Sequence, residues 1–189
     1  MRTSYYSEQE LKGIGFKEVG SEVYISRKAS VYGADKISVG SHVRIDDFCI
    51  LSGNIEIGNF IHIAAYTALY GGTYGIVLKD FVTISARNAI YAESDDYVGA
   101  SLPNPLIGEK YRKTYGGRVT LEKHSLIGTG CTILPNITIA EGVSVGAMSL
   151  INGDLEAWNV YAGIPVRPIK KRDKRILEIE QNYLVDLNK

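Results

Sequence analysis

The stretch LEKHSLIGTGCTILPNITIAEGVSVGAMSLI, residues 121–151, carries an aliphatic residue at every sixth position. These residues are Leu121, Ile127, Ile133, Ile139, Val145 and Ile151. The same step runs upstream from Val39 to Leu69 and from Leu78 to Ile90. A period of six matches neither the period of about 3.6 residues of an α-helix nor the two-residue period of a strand. The repeat therefore indicates a solenoid in which each unit stacks on the next.

A prism with three flat walls, each wall one short strand, explains the six-residue step. Three hexads then complete one coil of about 18 residues, and neighbouring coils pair as parallel strands that satisfy each other's backbone groups. Positions one and five of each hexad are expected to point inward. The residues at position five are small or branched: Val43, Cys49, Ile55, Ile61, Thr67, Val82, Asn88, Ser125, Cys131, Ile137, Val143 and Ser149. Both cysteines fall in this set, so we expect buried spacers and not nucleophiles.

The chain of 189 residues fits one domain in three parts. Residues 1–20 are predicted to cap the open end of the solenoid, and the segment SEQE within them has the spacing of a helix capping box. Residues 21–170 form the solenoid, which a polar, tyrosine-rich loop at 92–118 interrupts. Residues 171–189 are predicted to form an amphipathic C-terminal helix. The predicted fold class is all-β, a parallel β-helix of hexapeptide repeats with helical caps at both ends.

Composition and charge exclude several classes of function. The formal net charge is zero, which gives no support to binding of nucleic acid or of an anionic membrane. No apolar run approaches the length of about 18 residues that a membrane span needs, and the first residues lack an apolar signal-peptide core. With only two cysteines, a disulfide framework is not expected, and the predicted location is the reducing cytoplasm.

The hexads are followed by ITIAEGVSVGAMSLING (137–153) and VYAGIPVRPIKKR (160–172), and together these segments resemble the hexapeptide-repeat acyltransferases. The galactoside, maltose and lipopolysaccharide acetyltransferases are the most similar branch. The resemblance implies a left-handed parallel β-helix, a homotrimer with active sites between subunits, and acetyl-CoA as co-substrate. It alone implies the hand, since general connection rules favour right-handed crossovers.

The resemblance also implies a binding site for coenzyme A along the C-terminal coils. Matched motif by motif, the residues that contact it are Thr129, Ala147, Asn152, Gly163, Pro165, Arg167 and Lys170. A thin pantetheine arm that bears amides suits a groove floored by small residues, and a phosphorylated adenosine needs cations at the end of that groove. Leu126 departs from the family pattern, because the family often has Trp at that position.

Acyl transfer also needs an acceptor for the proton that leaves the attacking group. In the sugar acetyltransferases a His closes the last hexad before the active-site loop, whereas here that hexad reads IYAESD and Asp95 stands in the place of the His. A carboxylate is a weak base at neutral pH, and burial strengthens it. His62 is the second candidate base, since it holds an outward position between apolar residues. His42 and His124 take turn positions, and we expect His124 at the surface.

The acceptor is predicted to bind at the interrupting loop. Tyr70, Tyr91, Tyr97 and Asp96 are the candidate substrate residues, because phenol rings stack on sugars or bases and a carboxylate attracts a sugar ammonium. Packing of these rings under the loop is the alternative. Arg112 and the lysine after it are candidates for contact with a diphosphate.

The predicted function is direct transfer of an acetyl group from acetyl-CoA to a hydroxyl or amino group of a sugar, in a ternary complex. The acceptor is a nucleotide-linked sugar or a precursor of a cell-surface polysaccharide such as lipopolysaccharide, and no metal site is expected. Two alternatives stay open at this point: a zinc carbonic anhydrase of β-helix shape, which needs three converging histidines, and a β-helix scaffold without catalytic activity.

Overall fold

Short parallel strands fill three flat faces in the computed structural model, which describes residues 4–187. Face A consists of β2 (Val23–Ile25), β5 (Val43–Ile45), β7 (Ile61–Ile63), β9 (Thr83–Ile84), β14 (Leu126–Ile127), β17 (Ser144–Val145) and β19 (Asn159–Gly163). Face B consists of β3 (Ser30–Tyr32), the first parts of β6 (Ile50–Ile57) and β8 (Ala68–Leu78), β10 (Ala89–Tyr91), β15 (Thr132–Ile133) and β18 (Leu150–Ile151). Face C consists of β1 (Glu18–Val19), β4 (Ile37–Val39), the second parts of β6 and β8, β13 (Val119–Leu121) and β16 (Thr138–Ile139).

The chain winds from face A to face B to face C and back to face A, so that each coil contributes one strand to each face. We call the turns between faces the A–B, B–C and C–A corners. Corner residues of successive coils stack in columns, and backbone bonds link the coils, as where Gly40 N–H donates to Ile57 O at 2.7 Å. Each coil therefore satisfies the backbone of its neighbour, which is the condition for burying this many strands.

The core is the column of inward residues that the hexads predict. Every residue named above at position one or position five of a hexad is buried. Cys49 and Cys131 are 0% and 1% exposed, which confirms the prediction that they are spacers. Burial raises the pKa of the Cys49 thiol to about 11 and also raises the pKa of Cys131. Neither thiol is therefore a nucleophile at neutral pH.

The loop at 92–118 leaves the solenoid at the B–C corner without breaking the stack. β13 resumes directly beside β8, with Leu121 opposite Leu78. The base of the loop is ordered, because β11 (Glu93–Asp95) and β12 (Thr114–Gly116) pair as an antiparallel ladder. We call this ladder the loop hairpin.

The two ends of the solenoid are closed differently. At the N-terminal end, α1 (Glu8–Ile14) begins with the predicted capping box, in which Ser7 and Glu10 bond reciprocally, and it buries Leu11. At the other end, β20 (Val166–Lys171) folds back antiparallel to β19, and α2 (Ile176–Leu187) follows. The C-terminal helix thus begins at Ile176 and not at 171, because an added edge strand occupies that segment. Residues 188–189 of the predicted helix lie outside the described residues.

Helix α2 packs shallowly on the solenoid: Ile176, Leu177 and Leu184 of the predicted apolar face are half-buried, and Tyr183 contacts the ring of Phe60. None of its residues is buried, and Ile179 is 64% exposed. Glu180 contacts Lys123 Nζ at 2.6 Å and His124 Nε2 at 2.8 Å. The prediction of a surface position for His124 is wrong: the residue is 3% exposed, because α2 covers the corner on which it lies and its ring stacks on Phe81. A helical period alone does not reveal that contact. Among residues 4–187, no helix has the length and apolarity needed to cross a bilayer.

Asn88 links the coil before the loop to the coil after it, and its replacement should destabilise the solenoid. Its Oδ1 accepts from Cys131 N–H at 2.7 Å, and its Nδ2 donates to Ser85 O at 2.6 Å. Asn88→Ala leaves a buried N–H unpaired, so we expect a loss of about 1–3 kcal/mol in the free energy of unfolding. Urea denaturation at fixed protein concentration measures this, with exposed Thr138→Ala as control. A loss equal to that of the control would contradict the assigned role.

The two thiols should be unreactive in the folded protein. Because burial raises their pKa values, both stay protonated at pH 8. We expect Ellman's reagent to modify neither cysteine in the native protein and both in denaturant, as followed by absorbance. Rapid native modification of either thiol would show that the coil around it is open.

Candidate active site

The predicted cofactor residues Thr129, Ala147 and Gly163 lie in one column along the A–B corner, on three successive coils. Thr129 and Ala147 are exposed, with Thr129 O accepting from Met148 N–H at 2.8 Å. The coils approach closely here: a Cβ on Gly128 would lie 2.6 Å from the backbone nitrogen of Ala147. A side chain at Gly128 is therefore sterically excluded, and the adjoining Thr129 and Ala147 are exposed on neighbouring coils.

The A–B corner presents unused backbone amides. In the described chain, the N–H groups of Ala65, Ala86, Thr129 and Ala147 donate to no protein acceptor. At the C–A corner two equivalent groups are capped by side chains, namely Ser41 N–H by Asn59 Oδ1 at 2.8 Å and Asn59 N–H by Asp80 Oδ1 at 2.7 Å. The uncapped donors of the A–B corner suit a ligand that brings its own acceptors, such as amides, phosphates or an oxyanion.

The groove ends at the turn between β19 and β20. Gly163, with φ +111°, pairs with Val166 across the turn that contains Pro165. Arg167 lies opposite Ala162, Lys170 lies opposite Val160, and both cations are exposed. This places positive charge on the edge strand just beyond the A–B corner, where the sequence predicts the phosphates of coenzyme A.

Asn152, the remaining predicted cofactor residue, lies at a different corner. It follows β18 at the B–C corner and lines a cavity of about 460 Å³ together with Asp95. Asp96, Tyr97, Tyr115 and Asn136 are also in its wall. The predicted cofactor set is therefore split between two corners of one chain, separated by the width of face B.

Asp95 is fixed on the loop hairpin, opposite Thr114. Its Oδ1 accepts from Arg112 at 3.1 Å, and no described residue donates to its Oδ2. The side chain of Asp95 is 35% exposed, so the single chain does not supply the burial that would make it a stronger base. Arg112 thus engages one oxygen of the carboxylate, and the residue lines the cavity, as a group that orients a cation needs.

The neighbouring Asp96 organises the loop. Its Oδ1 accepts from Val98 N–H at 2.8 Å, and its Oδ2 accepts from Ser101 N–H at 2.7 Å. The bond from Val98, together with those from Ser101, lowers the pKa of Asp96. Both oxygens are thus engaged within the loop, and any role in substrate binding stays a prediction. Tyr97, beside it, is 94% exposed and makes no stacking contact among the described rings.

Tyr70 and Tyr91 stack on the outside of face B, with ring centroids 5.1 Å apart and planes 15° apart. Burial raises the pKa of Tyr91, which keeps the phenol protonated and able to donate a hydrogen bond. The pair sits where the loop leaves the solenoid, at the side of the B–C corner. Packing of these rings and contact with an acceptor both stay predictions.

His62 points outward from face A, as predicted. Its Nε2 lies 2.8 Å from Asp46 Oδ2, and Arg44 Nε donates to Asp46 Oδ1 at 2.7 Å. Burial on its own would raise the pKa of Asp46, but the bonds from His62 and Arg44 outweigh it and lower the pKa. An imidazole oriented by a carboxylate is a recognised base arrangement. In one chain, however, no described contact or cavity joins His62 to Asp95.

The three histidines do not converge. His42 contacts Glu22 at 2.8 Å, His62 contacts Asp46, and His124 contacts Glu180. Within the described residues no group of three metal-ligating side chains gathers. The sequence analysis did not predict the pairing of Arg112 with Asp95. The two residues are brought together by the antiparallel ladder of the loop hairpin, which the hexad pattern does not reveal.

Comparison with known proteins matches the whole chain. The dTDP-4-amino-4,6-dideoxy-D-glucose acyltransferase of Escherichia coli is 43% identical over 183 residues, covering 95% of each chain. The N-acyltransferase AntD of Bacillus cereus, solved with dTDP and 3-hydroxybutyryl-CoA, superposes with a TM-score of 0.96 at 51% identity, covering 99% of this chain and 100% of that chain. No protein-family model matches the sequence.

A variant of AntD has also been solved with dTDP-4-amino-4,6-dideoxyglucose and coenzyme A, and it superposes with a TM-score of 0.95 at 50% identity, covering 97% and 99% of the two chains. The left-handed parallel β-helix implied by the family resemblance is confirmed, and the carbonic anhydrase and scaffold alternatives find no support. The chain belongs to the hexapeptide-repeat acyltransferases, within the group that contains the dTDP-4-amino-4,6-dideoxy-D-glucose acyltransferase and AntD.

Proposed function

We propose that this enzyme transfers an acyl group from an acyl-coenzyme A to the 4-amino group of dTDP-4-amino-4,6-dideoxyglucose. The observation that carries the proposal is the full-length match to AntD, an N-acyltransferase solved with that nucleotide sugar and with coenzyme A. Two features of the chain support it: Asp95 has one oxygen without a described donor, and the A–B corner has a column of free backbone amides. The cytoplasmic location expected from the unpaired cysteines stays a prediction.

The reaction joins the sugar nitrogen to the acyl carbon in one attack. The neutral amine adds to the thioester carbonyl, the carbon–sulfur bond breaks, and coenzyme A leaves as a thiol. The sugar amine enters as an ammonium, so one proton must leave for each amide formed. The two buried cysteines exclude an acyl-cysteine intermediate, and direct transfer in a ternary complex follows.

The A–B corner provides the donors that the thioester needs. The N–H groups of Thr129 and Ala147 lie on adjacent coils without a described acceptor and are free for the pantetheine amides and for the developing oxyanion. Such preorganised donors contribute strongly because they need no reorientation during the reaction. Gly163 and Arg167 lie further along the same corner, where the guanidinium of Arg167 would meet the phosphates at the nucleotide end of coenzyme A.

Asp95 is the group we assign to the ammonium. Its open Oδ2 accepts a hydrogen bond from the sugar nitrogen, places the nitrogen for attack and takes up the proton. Arg112 holds the other oxygen and so fixes the direction of the free one. His62 remains the second candidate, with Asp46 as its orienting partner.

The complete site requires a second copy of the chain. Asp95 projects from the B–C corner, whereas Thr129 and Ala147 line the A–B corner, and face B lies between them. In a homotrimer, the loop hairpin of one chain reaches the A–B corner of the next. The separation of the two groups within one chain supports this arrangement, because a heterologous interface that closes into a ring pairs unlike corners.

Replacement of Asp95 should abolish transfer without abolishing cofactor binding. For Asp95→Asn we expect a fall in kcat of about 10²- to 10⁴-fold, the range for loss of a general base. Release of coenzyme A thiol from acetyl-CoA, with dTDP-4-amino-4,6-dideoxyglucose as acceptor, measures the rate, and calorimetry checks that coenzyme A still binds.

His62→Ala is the matched variant for the competing base. Retained turnover in His62→Ala with loss in Asp95→Asn assigns the proton to Asp95. The reverse result would assign it to the pair of His62 and Asp46, and the assignment of Asp95 would be wrong. If the wild-type enzyme transferred no acyl group to this acceptor, the proposed function itself would fall.

The cations of β20 should discriminate coenzyme A from dephospho-coenzyme A. We expect the double variant Arg167→Ala, Lys170→Ala to lose about tenfold in affinity for coenzyme A, because phosphate contacts from exposed cations are modest individually. Affinity for dephospho-coenzyme A should change little, and calorimetry measures both. Lys12→Ala, at the opposite end of the solenoid, is the control. Equal losses for both ligands would place the 3′-phosphate elsewhere.

A further inference from the structure

Arg87 is an exposed cation at the A–B corner whose charge is unused. Within residues 4–187 it forms no ion pair, while its guanidinium carbon lies 6.0 Å from the ring centroid of Tyr66. The other cations near this corner are engaged, Lys28 with Asp47 at 2.8 Å and Arg44 with Asp46. The two acids are thereby neutralised, and Arg87 is left as the net positive charge of the corner.

Two aromatic rings stand beside this cation. Phe48 and Tyr66 stack with centroids 4.9 Å apart, and they are 46% and 56% exposed. Backbone bonds place them in one column with Arg87, since Arg87 N–H donates to Ala65 O and Tyr66 N–H donates to Asp47 O. We call Phe48, Tyr66 and Arg87 the nucleotide column.

The nucleotide column has the same turn geometry as the other coils, since Met148 on this corner and Phe81 and Trp158 on the C–A corner also have positive φ. All three residues have positive φ, at 61°, 61° and 62°, a region that bulky residues rarely occupy. Bulky rings also occupy positive φ at the C–A corner, where Phe60 contacts Tyr183 and α2 covers the column. At the A–B corner no described element covers the rings. The rings of this column are therefore left open to a ligand.

The order of side-chain types along the A–B corner matches a nucleotide sugar that lies end to end with coenzyme A. From the N-terminal coils onward, the column presents two rings, then the guanidinium of Arg87, then Gly130 on the next coil, which donates to Ala86 O. This order suits a nucleotide sugar: the rings would contact the base, the guanidinium would contact the diphosphate, and the sugar would lie beside the thioester. The free N–H groups of Ala65 and Ala86 flank the cation and add donors for phosphate oxygens.

We propose that the nucleotide column binds the thymidine diphosphate part of the acceptor, an assignment that rests on the proposed function. Arg87 forms paired hydrogen bonds with the diphosphate, as a guanidinium does better than an ammonium. The thymine packs on the exposed edges of the Phe48 and Tyr66 rings in an edge-to-face contact, since their stacked faces are already in use. The candidate substrate residues at the B–C corner then contact the sugar and not the nucleotide.

Calorimetry with dTDP and with coenzyme A tests the assignment. We expect Arg87→Ala and Tyr66→Ala each to weaken dTDP binding by tenfold or more, while coenzyme A affinity stays within twofold. Arg87→Lys should restore part of the loss and Tyr66→Phe most of it, because the ring edge carries the contact. Arg175→Ala, an exposed arginine on the segment before α2, is the control and should bind dTDP as the wild type does.

Kinetics separates this inference from the proposed function. In Arg87→Ala the KM for the nucleotide sugar should rise by tenfold or more while kcat at saturation falls less than threefold. Wild-type transfer with unchanged dTDP affinity in both alanine variants would overturn the nucleotide column and leave the proposed function standing. Loss of dTDP affinity that occurs only together with dissociation of the oligomer, as seen by light scattering, would show that the column holds subunits together and would also overturn the proposal. Absence of both transfer and dTDP binding in the wild type would refute the function.

Discussion

The hydrogen bonds between coils are the constraint on which the rest of the molecule depends. Each six-residue wall satisfies its backbone on the coils above and below, and the inward aliphatic residues fill the prism between them. The winding then fixes which residues can share a corner, because corner positions of successive coils stack directly. Residues that act together at a corner are therefore expected one coil apart in the sequence, stacked in a column.

The three corners differ in how they use their backbone donors. At the C–A corner side chains such as Asn59 cap the amides, and α2 covers the rings. Among residues 4–187, the A–B corner leaves the amides of Ala65, Ala86, Thr129 and Ala147 uncapped, and Arg87 is the cation of this column without an ion pair. The loop that carries Asp95 leaves the solenoid at the B–C corner. One corner is thus covered by a helix, one exposes backbone amides and a cation, and one carries the loop with Asp95.

The repeat predicts the core well because burial in a solenoid depends on the six-residue phase alone. It correctly places Cys49 and Cys131 inside, and it locates the loop that carries Asp95. It could not predict that α2 buries His124, or that Arg112 holds Asp95, because these contacts join segments outside the period. The period also does not say which corner a matched residue occupies, so the division of the cofactor set emerges only from the winding.

The proposed site is completed only by a second chain, and subunit complementation tests this directly. Two inactive variants are needed, Asp95→Asn, which keeps the groove, and Ala147→Trp, which blocks the groove but keeps the acid. Co-expressed in equal amounts, they should form mixed oligomers with about one quarter of wild-type activity, because a site is intact when the two chains meet in one order. Mixed oligomers with no activity would show that acid and groove belong to the same chain and would contradict the account.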